Sequence, residues 1–132
     1  MNYQPLIDAA TVAMQHTYSP YSNFPVGAAL LLKDGTIIMG TNVENVSFGA
    51  TNCAERSAIF AAISQGYTKA DFVALAVTGK TADPIAPCCI CRQVLVEFFE
   101  PTSPIILHTT TTNEAKEVTV ADLAPYSFKN ME

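Results

Sequence analysis

Positively charged residues are scarce in this sequence of 132 residues. Lysine and arginine together number 7, against 12 aspartate and glutamate residues, so the formal net charge at pH 7 is −5. Proteins that bind nucleic acid by neutralising its phosphates need a surplus of positive charge. The composition therefore argues against a nucleic-acid partner and against the basic groove of a protein that acts on RNA or DNA.

Charge of either sign is also scarce. Charged residues make up 14% of the chain, whereas a typical soluble domain has about 25%. Either the surface is unusually apolar or part of it is buried against other chains. We favour the second interpretation and expect a homo-oligomer.

Long apolar runs are absent. The longest, at residues 26–32, falls short of the roughly 18 residues that a membrane helix needs. Residues 1–5 lack the basic segment and apolar run of a secretory signal. We therefore expect no membrane partner and a cytoplasmic location. The four cysteines are then reduced, and such cysteines more often bind metal or catalyse than form disulfides.

No Ser/Gly-rich linker, repeat or long charge block interrupts the chain, so we expect one domain over residues 1–132. Hydrophobic periodicity and turn residues predict alternating helices and strands. The predicted helices span 3–17, 54–65 and 88–99, with a last turn at 121–123, and the predicted strands span 26–32, 36–41, 71–78, 104–108 and 118–120. Strands separated by helices in the second half indicate parallel pairing and an α/β fold with a mixed sheet.

Three cysteines lie at predicted helix starts. Cys88 and Cys91 are three residues apart, so they share one helical face and both sulfurs can reach one ion. Cys53 opens the preceding helix, and it faces the same site as Glu55 only if it precedes regular helical geometry. Asn52 is the candidate cap of that helix. Helix N-termini stabilise thiolates, so the three cysteines form a candidate zinc site.

The fourth cysteine, Cys89, distinguishes an open from a closed zinc site. Three protein ligands leave a position for water, whereas structural sites fill all four positions. Cys89 turns about 100° from Cys88 on a helix, which favours the open site. Zinc there makes hydroxide available near neutral pH, and Glu55 is the candidate for moving protons. Arg56 or Arg92 could offset the net negative charge of three thiolates and one Zn²⁺ by hydrogen bonding to sulfur.

Two other interpretations stay open at this point. The spacing of Cys88 and Cys91 alone also suits a thiol redox pair. All four cysteines together also suit a non-catalytic structural zinc protein. Neither histidine, His16 or His108, fits the metal pattern, and we interpret both as structural.

Four segments, in order along nearly the whole chain, resemble the small homotetrameric cytidine deaminases. They are residues 20–29 (PYSNFPVGAA), 42–45 (NVEN), 51–56 (TNCAER) and 87–93 (PCCICRQ). The resemblance implies a three-layer α-β-α fold with a mixed central sheet of about five strands and helices on both faces. It also implies zinc-dependent hydrolytic deamination of cytidine and 2′-deoxycytidine to uridine and 2′-deoxyuridine, with a nucleoside substrate, one Zn²⁺ per chain and a homotetramer.

The resemblance also implies roles for individual residues. Cys53, Cys88 and Cys91 would hold zinc, whose hydroxide would attack C4 of the cytosine ring. Glu55 would take the water proton, protonate N3 and assist the loss of ammonia. Arg56 would hydrogen-bond the ligand sulfurs and temper their charge.

Substrate contacts are implied in the same way. Asn42 and Glu44 would bind the ribose 3′-hydroxyl. Phe24 would pack on the base, and the backbone N–H of Ala54 would contact the base carbonyl. Phe128 resembles the C-terminal aromatic that reaches into a neighbouring subunit's site, so an isolated monomer should be poorly active.

Two positions depart from the family pattern. Many members have glycine where this chain has Cys89, whose side chain adds an oxidisable thiol. Many have tyrosine where this chain has Phe48, in a loop that contacts a neighbour's substrate, and the missing hydroxyl removes a hydrogen bond of about 0.5–1.5 kcal/mol. Asn42 and Glu44 favour a free nucleoside, because a carboxylate repels a nearby phosphate. They also argue against a cytosine-nucleoside antibiotic, the substrate of the blasticidin S deaminases, which remains the alternative substrate class.

Overall fold

The structure is a computed structural model that describes residues 2–131. Residues 1 and 132 of the expected domain lie outside this range. The helices and strands along the described chain are α1 (Gln4–Met14), β1 (Val26–Leu32), β2 (Ile37–Thr41), α2 (Ala54–Ser64), β3 (Phe72–Gly79), α3 (Cys89–Phe98), β4 (Pro104–Thr109), β5 (Ala115–Thr119) and α4 (Val120–Leu123). None of these helices is long and apolar enough to span a membrane.

The five strands form one mixed sheet in the order β2-β1-β3-β4-β5. β1 runs antiparallel to both β2 and β3, β3 and β4 are parallel, and β5 is antiparallel to β4. The parallel pairing predicted for the second half therefore occurs between β3 and β4. This pattern brings the carboxyl ends of β2, β3 and β4 to one sheet edge, together with the beginning of β1. The segments that follow β2 and β3 carry the cysteines, so this edge positions the site.

Helices cover both faces of the sheet. On one face, α1 buries Leu6, Ile7 and Ala10 against small side chains of β1 and β3, such as Ala29 and Ala76. On the other face, α2 and α3 bury side chains that pack on larger aliphatic residues of the sheet; the group includes Ala58, Ile59, Leu95, Leu30, Leu75 and Ile105. The expected three-layer α-β-α arrangement is confirmed.

Two glycines allow the helices to approach the sheet closely. A Cβ atom at Gly27 would lie 1.9 Å from the carbonyl oxygen of Ala10 in α1. A Cβ atom at Gly40 would lie 2.4 Å from the carbonyl oxygen of Ala54 in α2. A closely packed interior leaves no room for a side chain at these distances. The N-terminus of α2 is therefore seated directly on β2, at the edge where the site forms.

The first helix is shorter than predicted. α1 ends at Met14 rather than at residue 17. The Thr17 hydroxyl donates to Asn42 Oδ1 at 2.5 Å, and the Tyr18 N–H donates to the Asn42 carbonyl at 3.1 Å. These tertiary contacts with the segment after β2 draw the chain out of the helix.

The last strand lies earlier than predicted. It spans Ala115–Thr119 rather than residues 118–120. Its first three residues are exposed, and they pair antiparallel with β4, which makes β5 an outermost strand of the sheet. Local propensity does not predict a strand for such polar residues. Val120 begins α4 instead, because the Thr119 hydroxyl accepts a hydrogen bond from the Asp122 N–H at 3.1 Å and caps the helix.

Candidate metal centre and the residues around it

Cys53 is the N-cap of α2, with an extended backbone (φ −76°, ψ 157°). Cys53 therefore precedes the regular helix. This is the condition under which its side chain and that of Glu55 can face the same site. The prediction that Asn52 caps this helix is wrong, because the cap is Cys53 itself. The Asn52 side chain instead donates to the Ser57 hydroxyl at 3.1 Å and holds the preceding segment against the helix.

Cys88 is likewise the N-cap of α3. Its Sγ lies 3.4 Å from the Sγ of Cys91 and accepts a hydrogen bond from the Cys91 backbone N–H. The Sγ of Cys53 lies 3.8 Å from that of Cys88, and all three sulfurs lie within 4.8 Å of one another. Two helix N-termini thus direct three sulfurs to one point, as the spacing predicted.

The sulfur positions fit a zinc ion. Zinc–sulfur bonds of about 2.3 Å in a tetrahedron place ligand sulfurs about 3.8 Å apart. The Cys53–Cys88 and Cys88–Cys91 sulfur separations, 3.8 Å and 3.4 Å, are close to this value. Cys89 lies outside the cluster formed within residues 2–131, and its side chain is exposed on the first turn of α3. The cluster therefore provides three ligands and leaves a fourth coordination position to water or substrate.

The cluster already favours a thiolate at Cys53. A hydrogen bond from Cys91, followed by one from the Arg56 guanidinium, lowers the pKa of Cys53 to about 5. The hydrogen bond with Cys53, followed by burial, raises the pKa of Cys91 in turn. Arg56 Nη2 donates to the Cys53 sulfur at 3.1 Å. A preformed thiolate is ready to bind a cation.

Arg92 does not perform this role. Its Nε donates to the carbonyl of Pro87 at 2.8 Å, and its Nη1 donates to the carbonyl of Leu123 at 2.9 Å. Both of these bonds are to backbone oxygens rather than to sulfur. The residue pattern alone left both arginines open, and Arg56, the one that the family resemblance implies, is the one that contacts a cluster sulfur.

Glu55 lies in the first turn of α2 and is only 4% exposed. Burial raises the pKa of its carboxyl group to about 7, and the charge of Cys53 acts in the same direction. A carboxyl group that titrates near neutrality both accepts and releases protons at physiological pH. Its position between the thiols and the core places that capacity at the candidate metal centre.

Asn42 and Glu44 follow β2 and are nearly buried. Asn42 accepts from the Val26 N–H at 3.0 Å and donates to the Phe24 carbonyl at 2.8 Å. The Glu44 carboxylate accepts from the Ser22 hydroxyl, which is the main reason for its lowered pKa, and from the backbone N–H groups of residues 21 and 22 at 3.0 Å. Both side chains thus fix the loop before β1, with Glu44 ionised. Ser22 lies in segment 20–29, but no sequence pattern marks its hydroxyl as the partner of Glu44.

The three candidate aromatic residues are solvent-exposed. Phe24 is 44% exposed before β1, Phe48 is 73% exposed in a 3-10 turn, and Phe128 is 66% exposed near the C-terminus. The carbonyl of Phe128 accepts a hydrogen bond at 2.8 Å from Gln93, on the exposed side of α3. Ala54 is fully buried as the first residue of α2, where a backbone N–H has no intrahelical partner.

The histidines lie apart from the sulfur cluster. His108 is buried, and its two ring nitrogens are hydrogen-bonded to Thr78 at 2.6 Å and Asn113 at 2.8 Å. The structural interpretation of His108 is confirmed. His16 is exposed beyond the end of α1.

Comparison with known proteins is consistent with this geometry. Residues 1–107 match the family model of the cytidine and deoxycytidylate deaminase zinc-binding region. The chain is 46% identical over 128 residues to a cytidine deaminase of Halalkalibacterium halodurans, covering 97% of this chain and 95% of the relative. It is 47% identical over 128 residues to that of Sporosarcina psychrophila, covering 97% and 92%.

A solved structure is similar in fold along the same length. The crystal structure of a cytidine deaminase from Burkholderia pseudomallei superposes with a TM-score of 0.93 at 46% identity, covering 97% of this chain and 100% of that one. The sulfur cluster lies within residues 1–107, the part of the chain that matches the family model. The chain belongs to the cytidine and deoxycytidylate deaminase family.

Proposed function

We propose that this chain catalyses the zinc-dependent hydrolytic deamination of cytidine and 2′-deoxycytidine to uridine and 2′-deoxyuridine, with release of ammonia. The observation that carries the proposal is the juxtaposition of three zinc-compatible sulfurs with one buried carboxyl group. The relatives named above are cytidine deaminases. Three protein ligands beside the proton-carrying carboxyl group of Glu55 suit hydrolysis. A structural zinc site instead has four protein ligands and needs no group that transfers protons.

The chain's own residues divide the chemistry between them. Cys53, Cys88 and Cys91 would hold the zinc ion, which when bound would supply an activated water for attack on the base. Glu55 accepts the water proton on its carboxylate and delivers it to N3 of the ring, then assists departure of the amine. Arg56 donates a hydrogen bond to the Cys53 sulfur and withdraws negative charge from it. Ionisation of the water is then easier than it would be beside three thiolates without such a bond.

Substrate recognition involves the loops at the same sheet edge. We assign the ribose 3′-hydroxyl to Asn42 and Glu44, the face of the base to Phe24, and the base carbonyl to the Ala54 N–H. Support comes from the rigid anchoring of Asn42 and Glu44, whose hydrogen bonds to residues 21–26 hold them in place before substrate arrives. Pre-organised polar groups of this kind lose little entropy on binding.

The assembly is a homotetramer in this proposal, with Phe48 and Phe128 completing the sites of neighbouring subunits. Support comes from the large exposed side chains, which accompany a low content of charge. Such surface normally marks an interface. Light scattering at micromolar concentration tests the homotetramer, and a monomer would contradict it.

The three-cysteine cluster needs free thiols to bind zinc. All four cysteines are free, and we therefore place the protein in the reducing cytoplasm.

The test is the fall in ultraviolet absorbance when cytidine is incubated with the purified zinc-loaded protein, beside its Glu55→Ala variant. Activity in the parent and loss of about 10²–10⁴-fold in the variant is the expected result. Retained activity in the variant would contradict the role of Glu55. A panel of cytidine, 2′-deoxycytidine, a deoxycytidine monophosphate and blasticidin S separates the substrate classes. Bound zinc without activity on the whole panel would favour a structural zinc protein.

A further inference from the structure

Arg92 connects two parts of the molecule that the proposed chemistry treats separately. It follows Cys91 on α3, and its side chain is half-buried. One of its N–H groups bonds the carbonyl of Pro87, directly before Cys88, and another bonds the carbonyl of Leu123, the last residue of α4. A single planar guanidinium thus holds the turn that carries two ligand sulfurs and the base of the C-terminal segment, residues 124–130.

The bond to Pro87 lies where it controls the direction of the chain. With Cys88 as N-cap, Pro87 is the residue before the cap and Arg92 is the fourth residue of the helix. Contact between these two positions fixes the angle at which a chain enters a helix. Here the contact is a charge-assisted hydrogen bond rather than an apolar one. The orientation of the Cys88 peptide, and with it the direction of its sulfur, therefore depends on Arg92.

The bond to Leu123 lies at the end of α4. The last carbonyls of a helix have no intrahelical partner, and a cation there is favourable. The next residue of α3, Gln93, donates to the carbonyl of Phe128 at 2.8 Å. Adjacent residues of α3 thus hold the C-terminal segment near its two ends, at Leu123 and Phe128, although Phe128 itself remains exposed.

We propose that Arg92 is a positioning residue that couples the Cys88 turn to the C-terminal segment. Through Arg92, α3 fixes the position of Phe128 relative to the metal ligands. The part of this proposal that concerns Phe128 and substrate rests on the proposed function. The part that concerns the segment and the cysteine turn does not. Arg92 acts through backbone carbonyls, since both of its hydrogen bonds described above are to carbonyl oxygens.

Hydrogen–deuterium exchange of the zinc-loaded protein tests the structural part without using activity. Arg92→Gln removes both guanidinium hydrogen bonds, and we expect the hydrogen-bonded amides of residues 120–124 to exchange about tenfold faster, as for loss of one or two hydrogen bonds. Zinc transfer to a chelator should accelerate by a similar factor. Gln93→Ala is the matched control, because it frees the Phe128 end alone and should leave zinc transfer unchanged. Unaltered exchange and zinc transfer in Arg92→Gln would overturn the proposal.

Steady-state kinetics with cytidine tests the catalytic part. Arg92→Gln should raise KM more than it lowers kcat, and Phe128→Ala should raise KM less in that background than in the parent. Additive effects would show that Arg92 does not act through Phe128. Arg92→Lys keeps the charge but bonds one carbonyl at a time; it provides a folded variant if Arg92→Gln is unstable, and it should give intermediate exchange. Faster exchange without any deaminase activity would support the coupling and contradict the proposed function.

Discussion

The cysteine cluster and the exposed aromatic residues are stabilised in opposite ways. The cluster is secured within one chain, by helix N-caps, hydrogen bonds between sulfurs and the buried carboxyl of Glu55. Phe24, Phe48 and Phe128 are exposed on loops and the C-terminal segment. The candidate reactive groups are thus held by the chain itself, whereas the three aromatic rings that we propose for substrate contact are left exposed by a single chain.

The largest expected effect comes from removing one ligand. Cys91→Ala deletes the fully buried sulfur of the cluster, so zinc binding and deaminase activity should be lost together. Cys89→Ala, two residues away on the exposed side of α3, is the matched control and should keep one zinc per chain. Elemental analysis of the purified proteins measures this. Loss of zinc from Cys89→Ala would show a four-sulfur site and break the contrast between the buried and exposed cysteines.

Glu55 should give the metal-free protein a pH-dependent stability. The pKa of its carboxyl rises on folding from an ordinary 4.5 to about 7, so between these values only the folded chain holds the proton. Stability of the parent therefore falls as pH rises through this window. Glu55→Gln should be relatively more stable above pH 7, by about 3 kcal/mol compared with pH 4. Urea unfolding at several pH values measures the difference, and a flat difference would contradict a buried, titrating carboxyl.

Phe128 tests whether the exposed aromatics serve another subunit. Phe128→Ala should raise KM about 10- to 100-fold, because a ring buried against substrate or neighbour is lost. Mixed with Glu55→Gln subunits after reversible dissociation, it should regain activity, since some hybrid sites combine an intact Glu55 with a neighbour's Phe128. Activity equal to the sum of the separate variants would show that Phe128 serves its own chain.

The smallest expected effect is at Phe48. Phe48→Tyr supplies the hydroxyl that the family resemblance leads us to expect at this position, and KM should fall by about two- to tenfold with little change in kcat. Phe24→Tyr, on another loop, is the comparison for a hydroxyl added elsewhere. An unchanged KM and kcat in Phe48→Tyr would contradict a role for Phe48 in substrate binding.

Several features of the site followed from the sequence because helix geometry encodes them. The spacing of Cys88 and Cys91 requires one face, and Cys53 and Glu55 require a non-helical start, which the structure shows. Other features did not follow. Asn52 is a residue type that often caps helices, yet Cys53 occupies the cap position of α2. The residue pattern, taken without the family resemblance, does not distinguish the arginine that faces sulfur from the one that does not.

The sequence by itself determined the α/β alternation, most element positions and the pairing of Cys88 with Cys91 at one helix start, because periodicity and short spacings are local properties. The tertiary structure decided where α1 ends, how β5 pairs at the sheet edge, and that Arg56 contacts Cys53 while Arg92 bonds carbonyls at Pro87 and Leu123. Both arginines follow a ligand or a carboxyl in similar motifs, so their local sequences do not distinguish them. Only the packing of distant segments, which sets what lies within reach of each guanidinium, assigns them different roles.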